Sequence, residues 1–247
     1  MNNKLYLLIV FISLNFSMEC YAQSASIKDA RYAKYIDLHD YMKPFWKSSV
    51  INDETVMVIR EGSKIKANLL FSAKEILSVT STDHSKTYLE NKDWALKDGR
   101  LDILNSSTVP FFNATDLLFY IQKPNMSMGA KKPGHYILFK EGLYFQSYQV
   151  SVSYRKRRSS RWQGPRTDVR GDKLSRTKKL LNSRKELKVC YYGNSIETGY
   201  NSSGFIGGPP YMPSWPELVC WKLHDFFKSD IRYFNPSVAG KMAKWGA

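Results

Sequence analysis

Cysteine is scarce in this sequence, with three in 247 residues. Histidine is scarce too, at four. Cys20 lies in the amino-terminal leader, so only Cys190 and Cys220 remain downstream. Two cysteines are no disulfide framework, which excludes the small stapled scaffolds of many secreted domains. Both lie in apolar runs and read as buried free thiols, with a single bridge between them left open. With so few histidines and cysteines no metal-ligand spacing occurs, and no Gly-rich loop is followed by Lys-Ser/Thr, so neither metal nor nucleotide cofactor is implied. Long apolar runs are missing as well. The longest, Leu5 to Phe16, is shorter than the ~20 residues needed to cross a bilayer. With Lys4 before it and Cys20-Tyr21-Ala22 after it, the run reads as a secretory signal cut after Ala22. Glu19 disfavours a lipoprotein cut before Cys20. The expected location is secreted or periplasmic.

What is present suffices for a core: 43% of residues are hydrophobic and 14% aromatic, which argues against disorder. The net charge of +15 is local. Between Arg155 and Lys188 fourteen lysines and arginines face Asp168, Asp172 and Glu186. This stretch has little aromatic interleaving beyond Trp162, and an exported protein rarely meets nucleic acid, so its first half reads as a solvated linker with weak contacts to anionic surfaces. Leu174, Leu180 and Leu181 in its second half allow a short helix, though not a strongly amphipathic one. No nucleic-acid partner and no obligate protein partner is expected.

The chain divides into a signal at 1–22, a β-rich unit with a lead-in segment at 23–154, a basic linker at 155–185 and an α/β segment at 186–247. Short β-rich runs occur at Thr55–Ile59, Ile65–Phe71, Ile76–Thr80, Leu101–Leu104 and Tyr136–Phe139, with Glu61-Gly62, Asp98-Gly99 and Glu141-Gly142 as turns between. Tyr148, Val150, Val152 and Tyr154 alternate with polar residues, as in a half-buried strand. Together these predict an all-β sandwich from about Ser48 to Tyr154. Asp98-Gly99 predicts a tight hairpin, with Trp94 in the core rather than serving as a sugar platform.

From Leu187 the pattern changes. Leu187–Tyr192 reads as a strand running into Gly193-Asn194-Ser195-Ile196. Ser214-Trp215-Pro216-Glu217 is a capping box ahead of a helix whose apolar face comprises Leu218, Val219, Leu223, Phe226 and Phe227. Ile231–Phe234 is a second strand, followed by Asn235-Pro236-Ser237-Val238-Ala239-Gly240. This order predicts a right-handed crossover between parallel strands, with both loops at the sheet edge where open α/β folds bind ligands. Gly204, Gly207 and Gly208 read as substrate-loop glycines over that edge.

The block Tyr192-Gly193-Asn194-Ser195-Ile196-Glu197-Thr198-Gly199 resembles the Gly-Asp-Ser block of the SGNH/GDSL hydrolases, with Asn194 in place of the usual aspartate. Asn235–Gly246 is similar to the family's second block. The resemblance covers about 186 to 247, and the β-rich region resembles the domain found ahead of this hydrolase domain in some exported bacterial esterases. It implies the start of a three-layer α/β hydrolase. Ser195 would be the nucleophile, and the backbone N–H groups of Ser195 and Gly240 would be oxyanion donors. Gly240 also reads as a plain turn glycine. The substrate implied is an acylated polysaccharide, with lipid or small esters as the nearest alternative. The family's Asp-x-x-His block is not in the sequence, since no such spacing involves His39, His84, His135 or His224, and no Gly-x-Asn follows the second block. For the chain as given, a folded β-domain, a poorly supported carboxyl-terminal segment and negligible esterase activity are expected. The rival readings are a noncatalytic carbohydrate-binding module and an inactive remnant.

Overall fold

A computed structural model describes residues 23–24, 27, 29–165 and 173–246. The signal reading at 1–22 lies outside the described residues. No helix among them is long and apolar enough to cross a membrane.

The strands in chain order begin with β1 (Gln23–Ser24), β2 (Val50–Met57), β3 (Ile59–Glu61), β4 (Lys64–Lys66) and β5 (Ala73–Ser81). There follow β6 (Trp94–Lys97), β7 (Arg100–Ile103), β8 (Phe112–Asn113), β9 (Leu118–Phe119), β10 (Ser127–Gly129) and β11 (Tyr136–Leu138). The series closes with β12 (Gln149–Lys156), β13 (Leu187–Cys190) and β14 (Ile231–Phe234). The α-helices are α1 (Leu38–Tyr41), α2 (Ala114–Leu117), α3 (Ser175–Asn182), α4 (Ser195–Thr198) and α5 (Trp215–Phe227).

The expected β-rich unit forms as small, mostly antiparallel sheets: β2-β12-β5, β4-β3-β8, β10-β11-β9 and the β6-β7 hairpin. Its centre is β12, paired on both sides by β2 and β5. Val150, Val152 and Tyr154 are fully buried on the inward face the alternation predicts, and Ser151, on the other face, is buried as well because residues of the 201–212 loop stand over it. The β6-β7 hairpin turns at Asp98 (φ 51°) and Gly99 (φ 79°), the left-handed pair of a tight primed turn. Trp94 is a core residue whose indole N–H donates to the Tyr88 carbonyl at 2.8 Å. The run Ile65–Phe71 contributes only the end of β4 to a strand; Phe71 is buried in the core without ladder pairing.

A second, smaller core holds Leu181, Cys220, Ile231 and Tyr233. Here β13 and β14 run parallel, Leu187 opposite Ile231 and Cys190 opposite Phe234, with α5 as the connection. The face of α5 that meets this core carries Cys220, Leu223 and Phe227, whereas Val219 and Phe226 are exposed. The expected apolar face is thus rotated on the helix. Cysteine, which the hydropathy reading passed over, supplies its centre. Both cysteines are free, as expected, but Cys190 is exposed and only Cys220 is buried.

The basic stretch at 155–185 is not a linker throughout. Lys156 still belongs to β12, Arg157 N–H donates to the Ser72 carbonyl, and Trp162 packs edge-on against Phe45 in the β-rich unit. At its other end, α3 buries Leu181 in the smaller core. Apolar anchors at each end override the charge between them. The lead-in also joins the two parts: β1 pairs antiparallel with β14, Phe45 packs on the β-rich core, and His39 stacks edge-on against Trp221 of α5.

Candidate active site at the ends of two parallel strands

Both expected loops leave the carboxyl ends of β13 and β14, at one edge of the sheet. After β13, Asn194 caps α4: its Oδ1 accepts the Ile196 N–H at 3.0 Å, and its own N–H donates to Glu197 Oε2 at 2.9 Å. This reciprocal cap uses only the acceptor oxygen of the side chain. Asparagine therefore fills aspartate's structural role here, without its charge. Gly193 is bare because the Glu197 carboxylate occupies the space a Cβ would need. Gly199 ends the turn at φ 72°, and a Cβ there would strike Ser214. The Trp215 indole N–H donates to the Ile196 carbonyl at 2.7 Å, and its ring meets Tyr191 edge-on.

The second loop is bound to the first. Asn235 Nδ2 donates to the Glu197 carbonyl at 2.7 Å and to the Tyr233 hydroxyl at 2.8 Å. Ser237 Oγ donates to the Tyr191 carbonyl at 3.1 Å, and the Val238 N–H to the Gly193 carbonyl at 3.1 Å. Gly240 sits at φ 76° in a turn closed by Lys241 N–H on the Val238 carbonyl. A left-handed third residue calls for glycine on conformational grounds alone, so the turn reading of Gly240 has a physical basis beside the donor reading.

Half-buried Ser195 is the first residue of α4, and its hydroxyl makes no hydrogen bond with any described group. The N–H groups of Ser195 and Gly240 are likewise without partners among the described residues. Around them Tyr192, Ile196, Val238 and Met242 expose apolar side chains. Burial pushes the Cys220 thiol up, which keeps it protonated and unsuited to nucleophilic work. No described group of His, Cys, Asp and Glu could hold a metal ion.

All four histidines are engaged elsewhere. His39 faces Asp225 at 3.6 Å, His84 faces Asp53 at 3.8 Å, His135 Nδ1 contacts the Pro133 carbonyl at 2.9 Å, and exposed His224 Nδ1 contacts the Ser229 carbonyl at 2.7 Å. None is hydrogen-bonded to Ser195.

The loop with Gly204, Gly207 and Gly208 turns towards the β-rich unit. Gly142 N–H donates to Asn201 Oδ1 at 2.9 Å, Gln146 Nε2 to the Asn201 carbonyl at 3.1 Å, and the Tyr200 hydroxyl to Glu141 Oε2 at 3.1 Å. Between this loop and the β-rich unit lies a cavity of about 230 Å³ lined in part by Tyr41, Asp53, His84 and Ser202. Sequence reasoning did not find it, because His84, in the turn after β5, faces Asp53 of β2, a residue distant along the chain.

Comparison with protein-family models, with curated proteins and with solved structures found no match.

Proposed function

We propose that residues 186–247 carry the nucleophile end of an SGNH-type α/β hydrolase domain behind a β-sandwich. The chemistry is that of an exported serine esterase, with acetyl esters on a polysaccharide as the preferred substrate. In this reading Ser195 Oγ attacks the acyl carbonyl, the carbonyl oxygen gains negative charge, and the N–H groups of Ser195 and Gly240 receive it. Fixed donors of this kind are each worth on the order of 10²–10³ in rate. The alcohol leaves as the acyl-enzyme forms, and water then releases the acid.

One observation carries the reading. A serine whose hydroxyl and N–H are both unspent stands at the end of a parallel strand, on a loop held by the Val238–Gly193 hydrogen bond to the loop that bears the second candidate donor. The preference for a sugar ester rests on the sequence resemblance alone. A serine hydroxyl is a weak nucleophile without a general base, and no described histidine is bonded to Ser195. The chain as given therefore hydrolyses p-nitrophenyl acetate no faster than its Ser195→Ala variant. Hydrolysis well above that control would show that a base is in place after all.

A further inference from the structure

We propose that the cavity between the β-rich unit and the 201–212 loop is a binding site for one neutral sugar unit. The inference goes beyond the esterase reading, because Ser195 does not line this cavity, and it stands on the cavity's own chemistry.

Size comes first. At about 230 Å³ the space lies below the ~300–1,000 Å³ of sites for drug-sized ligands, and suits a single ring rather than a chain or a nucleotide.

Charge narrows the ligand further. No lysine or arginine lines the cavity, and Asp53 does, with His84 already turned to it at 3.8 Å, so an anion would meet a carboxylate with no lysine or arginine to offset it. A cation fares little better, since Asp53 is the only carboxylate in the wall and is already engaged. Its Oδ2 accepts the Tyr41 hydroxyl and faces His84, while its Oδ1 accepts the Ser153 hydroxyl at 3.1 Å. Burial and the Asp53 carboxylate push Tyr41 well above the ordinary tyrosine range, so that hydroxyl remains a donor.

The remaining wall excludes a purely apolar ligand. The side-chain hydroxyls of Thr55 and Ser151 have no hydrogen-bond partner among the described residues. An unpaired buried hydroxyl costs about as much as a lost hydrogen bond, and a ligand hydroxyl that both donates and accepts would satisfy it. Pro209, Pro210 and Met212 supply apolar surface in the same wall, which matches the C–H face of a sugar ring. Unspent hydroxyls together with apolar surface, around a carboxylate that is already engaged, describe a neutral polyol with one apolar face.

The test is saturation-transfer NMR on the full chain carrying Ser195→Ala, with neutral methyl glycosides of hexoses and pentoses, glucuronate and glucosamine at about 10 mM, a range that detects millimolar affinity. At least one neutral glycoside gives transfer, and the two charged sugars give less. Thr55→Phe fills the cavity from an exposed strand position, where an aromatic is well tolerated, and removes the signal. His84→Asn keeps a residue at ease at φ 59° and weakens binding about tenfold, the scale of a lost hydrogen bond. Absence of transfer from every neutral glycoside, preference for a charged one, or binding unchanged in both variants overturns the proposal. Because Ser195 is already replaced, failure here is separate from failure of the esterase reading.

Discussion

The Val238 N–H donates to the Gly193 carbonyl at 3.1 Å, a backbone bond that, beside the Asn235 and Ser237 side-chain bonds, joins the loop after β13 to the loop after β14. Both ends depend on Gly193 keeping its position under the Glu197 carboxylate. Gly193→Ala would drive a methyl group into that carboxylate, pull Glu197 Oε2 from the Asn194 N–H, and displace the carbonyl that Val238 uses. Because Glu197 is a flexible, half-buried side chain that can swing aside, the expected result is a loss of about 0.5–1 kcal/mol, the scale of a weakened cap, read as a lower denaturant midpoint followed by Trp fluorescence.

Asn194 separates structure from charge. Its side chain acts in the cap through Oδ1 alone, so Asn194→Asp keeps the acceptor and leaves stability within about 0.5 kcal/mol. Asn194→Ala loses the acceptor and costs about 1 kcal/mol. Thermal melts of the two variants side by side measure the difference. Equal loss in both would mean that the amide N–H₂ matters, which no bond in the structure suggests.

Asp93 sets an acid-side stability limit in the β-rich unit. Burial works against its charge, but the N–H groups of Leu89 and Thr108 and the hydroxyls of Ser107 and Thr108 outweigh this and hold its carboxyl below the usual range. A carboxyl with a depressed folded value contributes stability that is complete above its unfolded value, ~3.9, and is lost as pH falls through the lower folded one. Asp93→Asn should therefore cost about 1–3 kcal/mol near neutral pH, with the gap to the parent narrowing as pH drops below ~3.9. Urea titrations at several pH values provide the check.

Much of the β-rich unit was legible because its signals are local. Asp98-Gly99 encodes its own turn, and the Val150–Tyr154 alternation marks a strand whatever its neighbours. Local signals do not reveal pairing partners, so β12 was expected to be half-buried and is central. Charge misled at 155–185, where Trp162 and Leu181 decide the packing though basic residues dominate the composition. At the candidate site, the Ser214 capping box and the strand-loop-helix-strand order were readable. The Asn235–Glu197 and Val238–Gly193 bonds were not, because they join residues about forty apart. The Asp53–His84 pairing was hidden for the same reason.

The central claim, that Ser195 is placed for acyl transfer, is tested most directly by labelling the chain with a fluorophosphonate and mapping the adduct by mass spectrometry, with and without exogenous imidazole as a stand-in base. In the reaction Ser195 Oγ bonds to phosphorus, fluoride leaves, and imidazole takes the hydroxyl proton. The account predicts that the adduct maps to Ser195 ahead of the chain's other serines, faster with imidazole, and is absent from Ser195→Ala. Labelling spread evenly over surface serines, or unchanged in Ser195→Ala, would contradict it.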